Sequence, residues 1–400
     1  MRVAFLGNQY LDPDNCRSWS GLPYFMRRAL EEAGIETVTI APQDTEDPRR
    51  IMRLLYWRWL RGKRYLKYCD PRLLQDHARQ CERRLASVTV DAVFSPSTWP
   101  LAYLRTRLPT VFWTDASFAG VLNFYDSFTN VAPLSVAAGH WVEQQALTRC
   151  ARAIFSSDWA AATARDNYAV DAGKVRVVPF GGNLAEPPTL GEAREFVRTR
   201  PMQPCRLLLV GVDWQRKGAD IALEVSELLN QRGIECTLTV VGCNPPAGRA
   251  LPPHVELVPF LGKSSADDRR RLNALYARSH FFVMPTRAEA FGIVYAEAAA
   301  FGVPSMATQV GGLPTVIRSG INGELFALDA PAAAYADWIV ARVANPAAYR
   351  ALAMNALEDA RERLSWPVAG QRVAAIFEEL PRTRTNESNA PIPVREPAAS

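Results

Sequence analysis

The sequence predicts an α/β protein of two doubly wound, Rossmann-like domains facing each other across a cleft. Three observations carry that prediction. The length, 400 residues, exceeds one ordinary domain and suits two. An apolar run ending in glycine occurs twice, at 2–7 and 206–211, and each time a polar loop and a helical stretch follow. After both starts, strand and helix periodicities keep alternating, the pattern of βαβ units and parallel sheets.

Taken in order, 2–7 reads as a buried strand. The stretch 21–34 reads as a helix, with Pro23 suited to a first turn and Gly34 to a C-terminal cap. Residues 35–40 form the next strand, and 91–94, 110–113, 153–156 and 175–179 continue the series. In the second half, strand 206–210 leads to a helix over 219–231. Strands at 237–242, 255–259, 281–284 and 305–308 follow. The stretch 185–204 is rich in Pro, Glu, Arg and Thr and is read as a linker. The expected division is therefore 1–184, a linker at 185–204, 205–364, a helix at 365–380 returning to the first domain, and a disordered tail at 381–400.

Composition narrows the class further. With 48% hydrophobic and 22% charged residues, the chain is neither collagen, coiled coil nor wholly disordered. No apolar run approaches the roughly 18 residues that cross a bilayer. Seven scattered cysteines, an odd number, argue against a disulfide framework and for a reducing, cytoplasmic setting. A net charge of +5 suits anionic ligands without requiring nucleic acid.

The segment with most chemistry is Pro285 to Pro304. A buried strand leads into a loop carrying Glu289 and Gly292, then a helix carrying Glu297. The backbone N–H groups of Phe291, Gly292 and Ile293 lie at a helix start, where unpaired donors and the helix dipole favour an anion. Glycine at 292 is read as leaving the main chain open to a ligand. The two carboxylates suit hydroxyls, one of a sugar and one of a ribose. Gly211 to Gly218 adds adjacent cations, Arg216 and Lys217, in a glycine-bounded loop after a strand, a natural clamp for a diphosphate. Gly311-Gly312-Leu-Pro is a further source of backbone donors. Asn322-Gly323 reads as a tight hairpin turn.

These residues resemble the retaining GT-B glycosyltransferases of the family-4, or group 1, type. Their paired-glutamate signature, two Glu separated by seven residues, is met by Glu289 and Glu297, with Pro285-Thr before it and Phe-Gly-Val-Pro after it. The resemblance implies a metal-independent, retaining transfer from a nucleotide-diphosphate sugar to an acceptor hydroxyl. Its acceptor would be a saccharide, a lipid-linked glycan or a small molecule. By position, Glu289 falls beside the transferred sugar, Glu297 at the ribose, and Arg216 with Lys217 at the diphosphate. Gly211 and Gly312 fall at the donor, and Gly7 and Gly21 at an N-terminal cleft loop. Two departures stand out. Val212 occupies a position where many members carry Arg, which leaves Arg216 as the nearest substitute. Asp115 stands in the N-terminal loop where many carry His.

Other readings of the same residues remain open at this level. Glu289 and Glu297 also fit a loop acid and a surface helix acid, Arg216-Lys217 a solvated loop, and Gly7 and Gly21 plain turns. Asp115 also fits a helix N-cap. Cys16 reads as an inert thiol, and His77 with Cys81, one helical turn apart, lacks a second ligand pair for a metal. A nucleotide-sugar epimerase or hydrolase is the nearest competing function. An NAD(P)-dependent oxidoreductase is disfavoured because both glycine loops lack GxGxxG. Finally, 49–67 holds eight Arg and Lys, two Trp and no acidic residue. It suits either an anionic membrane surface or, the reading preferred from sequence, a helix packing its Trp residues in the core.

Overall fold

The computed structural model describes residues 1–45 and 47–381, so the tail expected to be disordered lies, beyond Pro381, outside the described residues. The described chain forms two units: Met1–Val178 together with Gly370–Pro381, and Pro179–Ala369.

The first unit holds β1 (Arg2–Leu6), α1 (Leu22–Glu32), β2 (Glu36–Ile40), α2 (Pro48–Leu55), α3 (Pro71–Leu85), β3 (Ala92–Ser95), β4 (Thr110–Thr114), α4 (Phe118–Val121), α5 (Pro133–Arg149), β5 (Arg152–Phe155), α6 (Asp158–Asn167) and β6 (Val175–Val177). Its sheet is parallel in the order β2-β1-β3-β4-β5-β6. Strands covered on both faces read as near-continuous apolar runs. Accordingly Val3 to Leu6, Val93, Phe94, Phe112 and Phe155 have no solvent exposure. The order reverses between β1 and β3, so the loops leaving these strands border the crevice such sheets use for ligands. Gly7 leaves β1 there, donating its N–H to the Ile40 carbonyl at 2.9 Å. A Cβ on Gly7 would stand 2.9 Å from the Leu11 carbonyl oxygen, so the loop folds tightly over it. Gly21 ends a run of three left-handed residues, Trp19, Ser20 and Gly21, and opens α1 with φ of 87°.

The helix over 48–60 departs from the sequence reading. None of its side chains is buried, and Trp59 and Leu60 are 74% and 75% exposed. The reason is that polar groups hold it in place. Arg50, Arg53 and Trp57 form its half-buried face, and Arg53 reaches the buried Asp70 carboxylate at 2.9 Å.

The second unit holds α7 (Leu190–Thr199), β7 (Cys205–Val210), α8 (Ala219–Gln231), β8 (Cys236–Val241), β9 (Val255–Val258), α9 (Ala266–Arg278), β10 (Phe281–Met284), α10 (Ile293–Ala300), β11 (Ser305–Thr308), α11 (Leu313–Val316), β12 (Gly323–Phe326), α12 (Ala332–Val343) and α13 (Pro346–Arg363). The sheet order, β12-β11-β10-β7-β8-β9, is the doubly wound order of dinucleotide-binding folds, with its switch point between β7 and β10. A last helix, α14 (Trp366–Glu378), begins in this unit, and from Gly370 the chain belongs to the first. A Cβ at Gly370 would lie 2.2 Å from the Ala29 carbonyl oxygen, so glycine is what lets this helix approach α1.

Two sequence readings change here. The stretch 185–204 is no open connector: α7 starts with a Thr189–Glu192 capping box and buries Ala193 and Val197. Arg200 behind it donates to the carbonyls of Ala277, Phe301 and Gly302 and to the Tyr349 hydroxyl. Only two apolar residues of α7 are fully buried, with Phe196 half-buried against Phe301, which is why its composition resembles a linker. Nor does Asn322-Gly323 turn a hairpin. Gly323 opens β12, parallel to β11, and a Cβ there would collide with the Ser305 carbonyl oxygen at 2.0 Å. The Asn322 amide instead donates to the Val316 carbonyl and to Asp359.

Candidate functional site

The site grows from the two loops that leave the switch point of the second sheet. After β7, Gly211 passes its N–H to the Val241 carbonyl at 3.0 Å. Asp213 then folds the loop: its carboxylate accepts the Arg216 N–H at 2.9 Å and its carbonyl accepts that of Lys217 at 3.0 Å. The Lys217 stem runs across Gly211, where a Cβ would meet its Cγ at 2.8 Å, so glycine here makes room for a lysine.

The loop after β10 is pinned to the first. The Arg216 carbonyl accepts from the Arg287 N–H at 2.7 Å and the Thr286 hydroxyl at 3.0 Å. Arg287 adds a forked pair to Asp220 at 3.0 and 2.8 Å. These bonds bring cations to the carboxylate expected from the sequence. Lys217 Nζ lies 2.5 Å from Glu289 Oε2, and Arg216 Nη1 lies 3.9 Å from the same oxygen. Arg216 also donates to the Ala288 carbonyl at 3.1 Å. Lys217 and Glu289 are both nearly buried, so their attraction is little screened. Solvated-loop readings of Arg216, Lys217 and Glu289 do not describe this arrangement.

Glu297 sits on α10 with no solvent exposure and has three partners. Lys263 contacts Oε1, the Asn183 N–H reaches the same oxygen at 3.2 Å, and the Tyr276 hydroxyl donates to Oε2 at 3.1 Å. Burial and the adjacent carboxylate hold the Tyr276 hydroxyl well above its usual range, so it stays protonated as a donor. The surface-acid reading of Glu297 is therefore excluded. Sequence reasoning missed Lys263, Tyr276, Asn183 and Thr286. A weak signal existed for Lys263 alone: a Gly-Lys pair in the loop after β9, at the same end of the sheet as Lys217.

Two backbone expectations change. Gly292 has φ of 88°, and a Cβ there would meet the Tyr295 ring at 2.6 Å and Leu313 at 2.8 Å. Its glycine is required by conformation and packing, and no ligand approach is needed to explain it. The Gly312 N–H is already given to the Glu289 carbonyl at 3.1 Å, so Gly312 fixes the Glu289 loop. Phe291 is buried against Phe180, ring centroids 5.1 Å apart, which leaves its backbone, with that of Ile293, as the part at the helix start. Val212, where a cation was missing, is 65% exposed.

In the first unit, Asp115 directly follows β4 and is half-buried. It is not the cap of α4: Ser117 is, accepting the Gly120 N–H at 3.1 Å. Elsewhere in this unit, His77 and Cys81 are both buried, with His77 Nε2 lying 2.9 Å from Asp44 Oδ1. Among the described residues no three His, Cys, Asp or Glu side chains gather as a metal site. No helix among them is long and apolar enough to cross a membrane.

Comparison with known proteins agrees with this layout. Residues 204–345 match the family model described as glycosyl transferases group 1, and residues 24–186 match glycosyltransferase family 4. The D-inositol 3-phosphate glycosyltransferase of Actinosynnema mirum is 31% identical over 251 residues, 59% of each chain. Its counterpart in Salinispora arenicola is 33% identical over 204 residues, 46% of this chain and 45% of the relative. The chain thus spans between two fifths and three fifths of these relatives. Among solved structures, sucrose-phosphate synthase of Thermosynechococcus elongatus shares the fold with a TM-score of 0.67 at 18% identity, covering 95% of this chain and 98% of that one. Anabaena HepE, solved with UDP, gives 0.65 at 15% identity over 95% and 100%. With two six-stranded parallel sheets and a family match across both units, the chain belongs to the family-4, group 1 glycosyltransferases and has the GT-B fold.

Proposed function

We propose that this enzyme transfers a sugar from a nucleotide-diphosphate donor to an acceptor hydroxyl, with retention of anomeric configuration. The observation that carries the proposal is the meeting of Arg216, Lys217 and Glu289 at the switch point of the second sheet. There, Lys217 and Arg216 bind the donor diphosphate. As the bond from the sugar's anomeric carbon to the phosphate oxygen breaks, negative charge grows on that oxygen. Fixed cations stabilise growing charge more than the ground state, which is what lowers a barrier.

Glu289 stands beside the transferred sugar. An arriving diphosphate gives Lys217 a second anionic partner, and Glu289 is then free to accept from sugar hydroxyls. The acceptor oxygen bonds to the anomeric carbon on the face the phosphate leaves, and its proton passes to the departing phosphate oxygen. Glu297 with Lys263 lies at the ribose end of the donor, and the N–H groups of Phe291 and Ile293 face its phosphates. The first unit holds the acceptor, with Asp115 orienting its hydroxyl and the loops at Gly7 and Gly21 shaping its pocket. UDP-sugars are the first donors to test, since HepE was solved with UDP. The relatives named for D-inositol 3-phosphate make phosphorylated polyols the first acceptors.

The test is calorimetric titration of UDP, GDP, ADP and NAD(H), followed by mass spectrometry of donor turnover with and without acceptors. A nucleoside diphosphate should bind, and a glycosylated acceptor should form. Binding of NAD(H) alone, or donor consumption that yields only an epimer, would overturn the proposal.

A further inference from the structure

The helix over 48–60 is built inside out. Its half-buried face carries Arg50, Arg53 and Trp57, while Ile51, Leu55 and Trp59, spaced four apart on the opposite face, point outward with Met52 and Leu60 beside them. Ile51 is 55% and Met52 68% exposed. Ordinary surface helices of soluble domains do the reverse and turn their apolar stripe to the core.

This geometry is held firmly. Asp47 caps the start by accepting the Arg49 N–H at 2.9 Å, and Arg53 is tied to Asp70, itself also contacted by the Tyr65 hydroxyl. At the far end the Lys63 N–H closes on the Trp57 carbonyl at 2.8 Å, and Asn130 holds the Gly62 carbonyl at 2.8 Å. The apolar stripe is thus presented by a fixed scaffold. A contiguous exposed apolar patch of this kind marks an interaction surface.

Charge selects the occupant. Arg49, Arg58 and Arg61 are exposed around the stripe, and the sequence from 49 to 67 contains no Asp or Glu. A symmetric second copy would bring these cations face to face, which is unfavourable. A nucleic acid would satisfy the cations and leave the aliphatic stripe in water. Only an interface with anionic headgroups above and hydrocarbon beneath matches both sets at once. We propose that the first unit docks on an anionic phospholipid surface through this helix, Trp59, Leu60 and Leu55 entering the headgroup boundary and Arg49, Arg58 and Arg61 pairing with phosphates. The proposal does not depend on the donor chemistry of the second unit.

The experiment uses the full chain with vesicles of phosphatidylcholine alone or with about 30% phosphatidylglycerol, read by co-sedimentation. The chain should bind the anionic vesicles, stay in solution with the neutral ones, and dissociate toward about 0.5 M salt. Trp59→Ala with Leu60→Ala should weaken binding about tenfold or more, and Arg58→Glu with Arg61→Glu similarly. Because these side chains are exposed, thermal unfolding should be unchanged and will verify that the variants fold. Equal binding to neutral and anionic vesicles, unchanged binding by the variants, or no binding at all would overturn the proposal. So would a concentration-dependent dimer in sedimentation velocity that the Trp59 variant abolishes.

Discussion

Lys263 sets its ammonium on Oε1 of Glu297, and the carboxylate so paired has no solvent exposure. The lysine keeps about a quarter of its side chain in contact with water. Tyr276 and the Asn183 N–H share the remaining capacity of the carboxylate. A buried carboxylate with one cation and two neutral donors is satisfied, but it depends on that cation. Breaking such a pair by removing one partner costs more than the pair contributes, because an uncompensated charge is left behind.

Lys263→Met should therefore destabilise the second unit, by about 1–3 kcal/mol given the partial exposure of the lysine. Glu297→Gln with Lys263→Met should recover part of the loss. Urea unfolding measures both. A single variant as stable as the parent would show that the pair is not holding this part of the fold.

Lys217→Ala should raise the donor KM and the inhibition constant of the free nucleoside diphosphate about tenfold to a hundredfold, the range of one charge-assisted contact. Glu289→Gln should act mainly on kcat, lowering it about a hundredfold or more, with donor affinity kept. The contrast between the two is the measurement. Parallel losses in KM and kcat for both variants would remove the distinct roles assigned to them.

How much of this was legible in the sequence follows from where the information sits. Both sheets were readable because parallel strands are buried on two faces: Phe281–Met284 stands out as a short apolar run ended by Pro285, and Ser305–Thr308 as a short segment set off by Pro304 before it and Gly311 after it. Glu289 and Glu297 were readable because their spacing lies within one loop and helix. Lys263 left only the weak Gly-Lys signal and Tyr276 none, since their approach to Glu297 depends on how the loop after β9 and helix α9 meet α10, which no local pattern encodes. The helix at 48–60 was misread for a related reason. Periodicity reports that one face is apolar but not whether that face turns inward, and here the Arg53–Asp70 pair decides.

Gly218 offers a test of loop geometry. It has φ of 70°, and a Cβ there would stand 2.1 Å from the Pro285 carbonyl oxygen, whereas at Gly233, with φ of 79°, a Cβ would meet nothing within 4 Å. Both positions strain an L residue, but only the first also forces backbone apart. Gly233→Ala should cost about 1 kcal/mol and leave kinetics unchanged. Gly218→Ala should cost at least about twice that and raise the donor KM, because Lys217 moves with it. Equal costs would mean that the two loops are not held together as described.

Glu143 on α5 carries the pH dependence of the first unit. Its carboxyl is buried, accepts the Thr98 hydroxyl at 2.8 Å, and is raised by burial from 4.5 to about 7 against the bonds from Thr98 and the Phe118 backbone that pull it down. Burial also pushes the Cys150 thiol up to about 12, and Cys69 and Tyr168 higher still, so these neighbours stay neutral throughout. Between roughly pH 4.5 and 7 the folded chain holds a proton on Glu143 that the unfolded chain has released. Stability from this group is thus full below the lower value and declines as pH rises through the upper one, by on the order of 3 kcal/mol. Glu143→Gln keeps the shape and the Thr98 contact without the charge. In chemical unfolding the variant should match the parent near pH 5 and exceed it near pH 8. The His140 ring, one turn away and pushed down by burial, titrates in both proteins and cancels in the comparison. A gap of the same size at both pH values would mean that Glu143 is ionised in the folded chain, and the Thr98 hydroxyl would then be answering a charge.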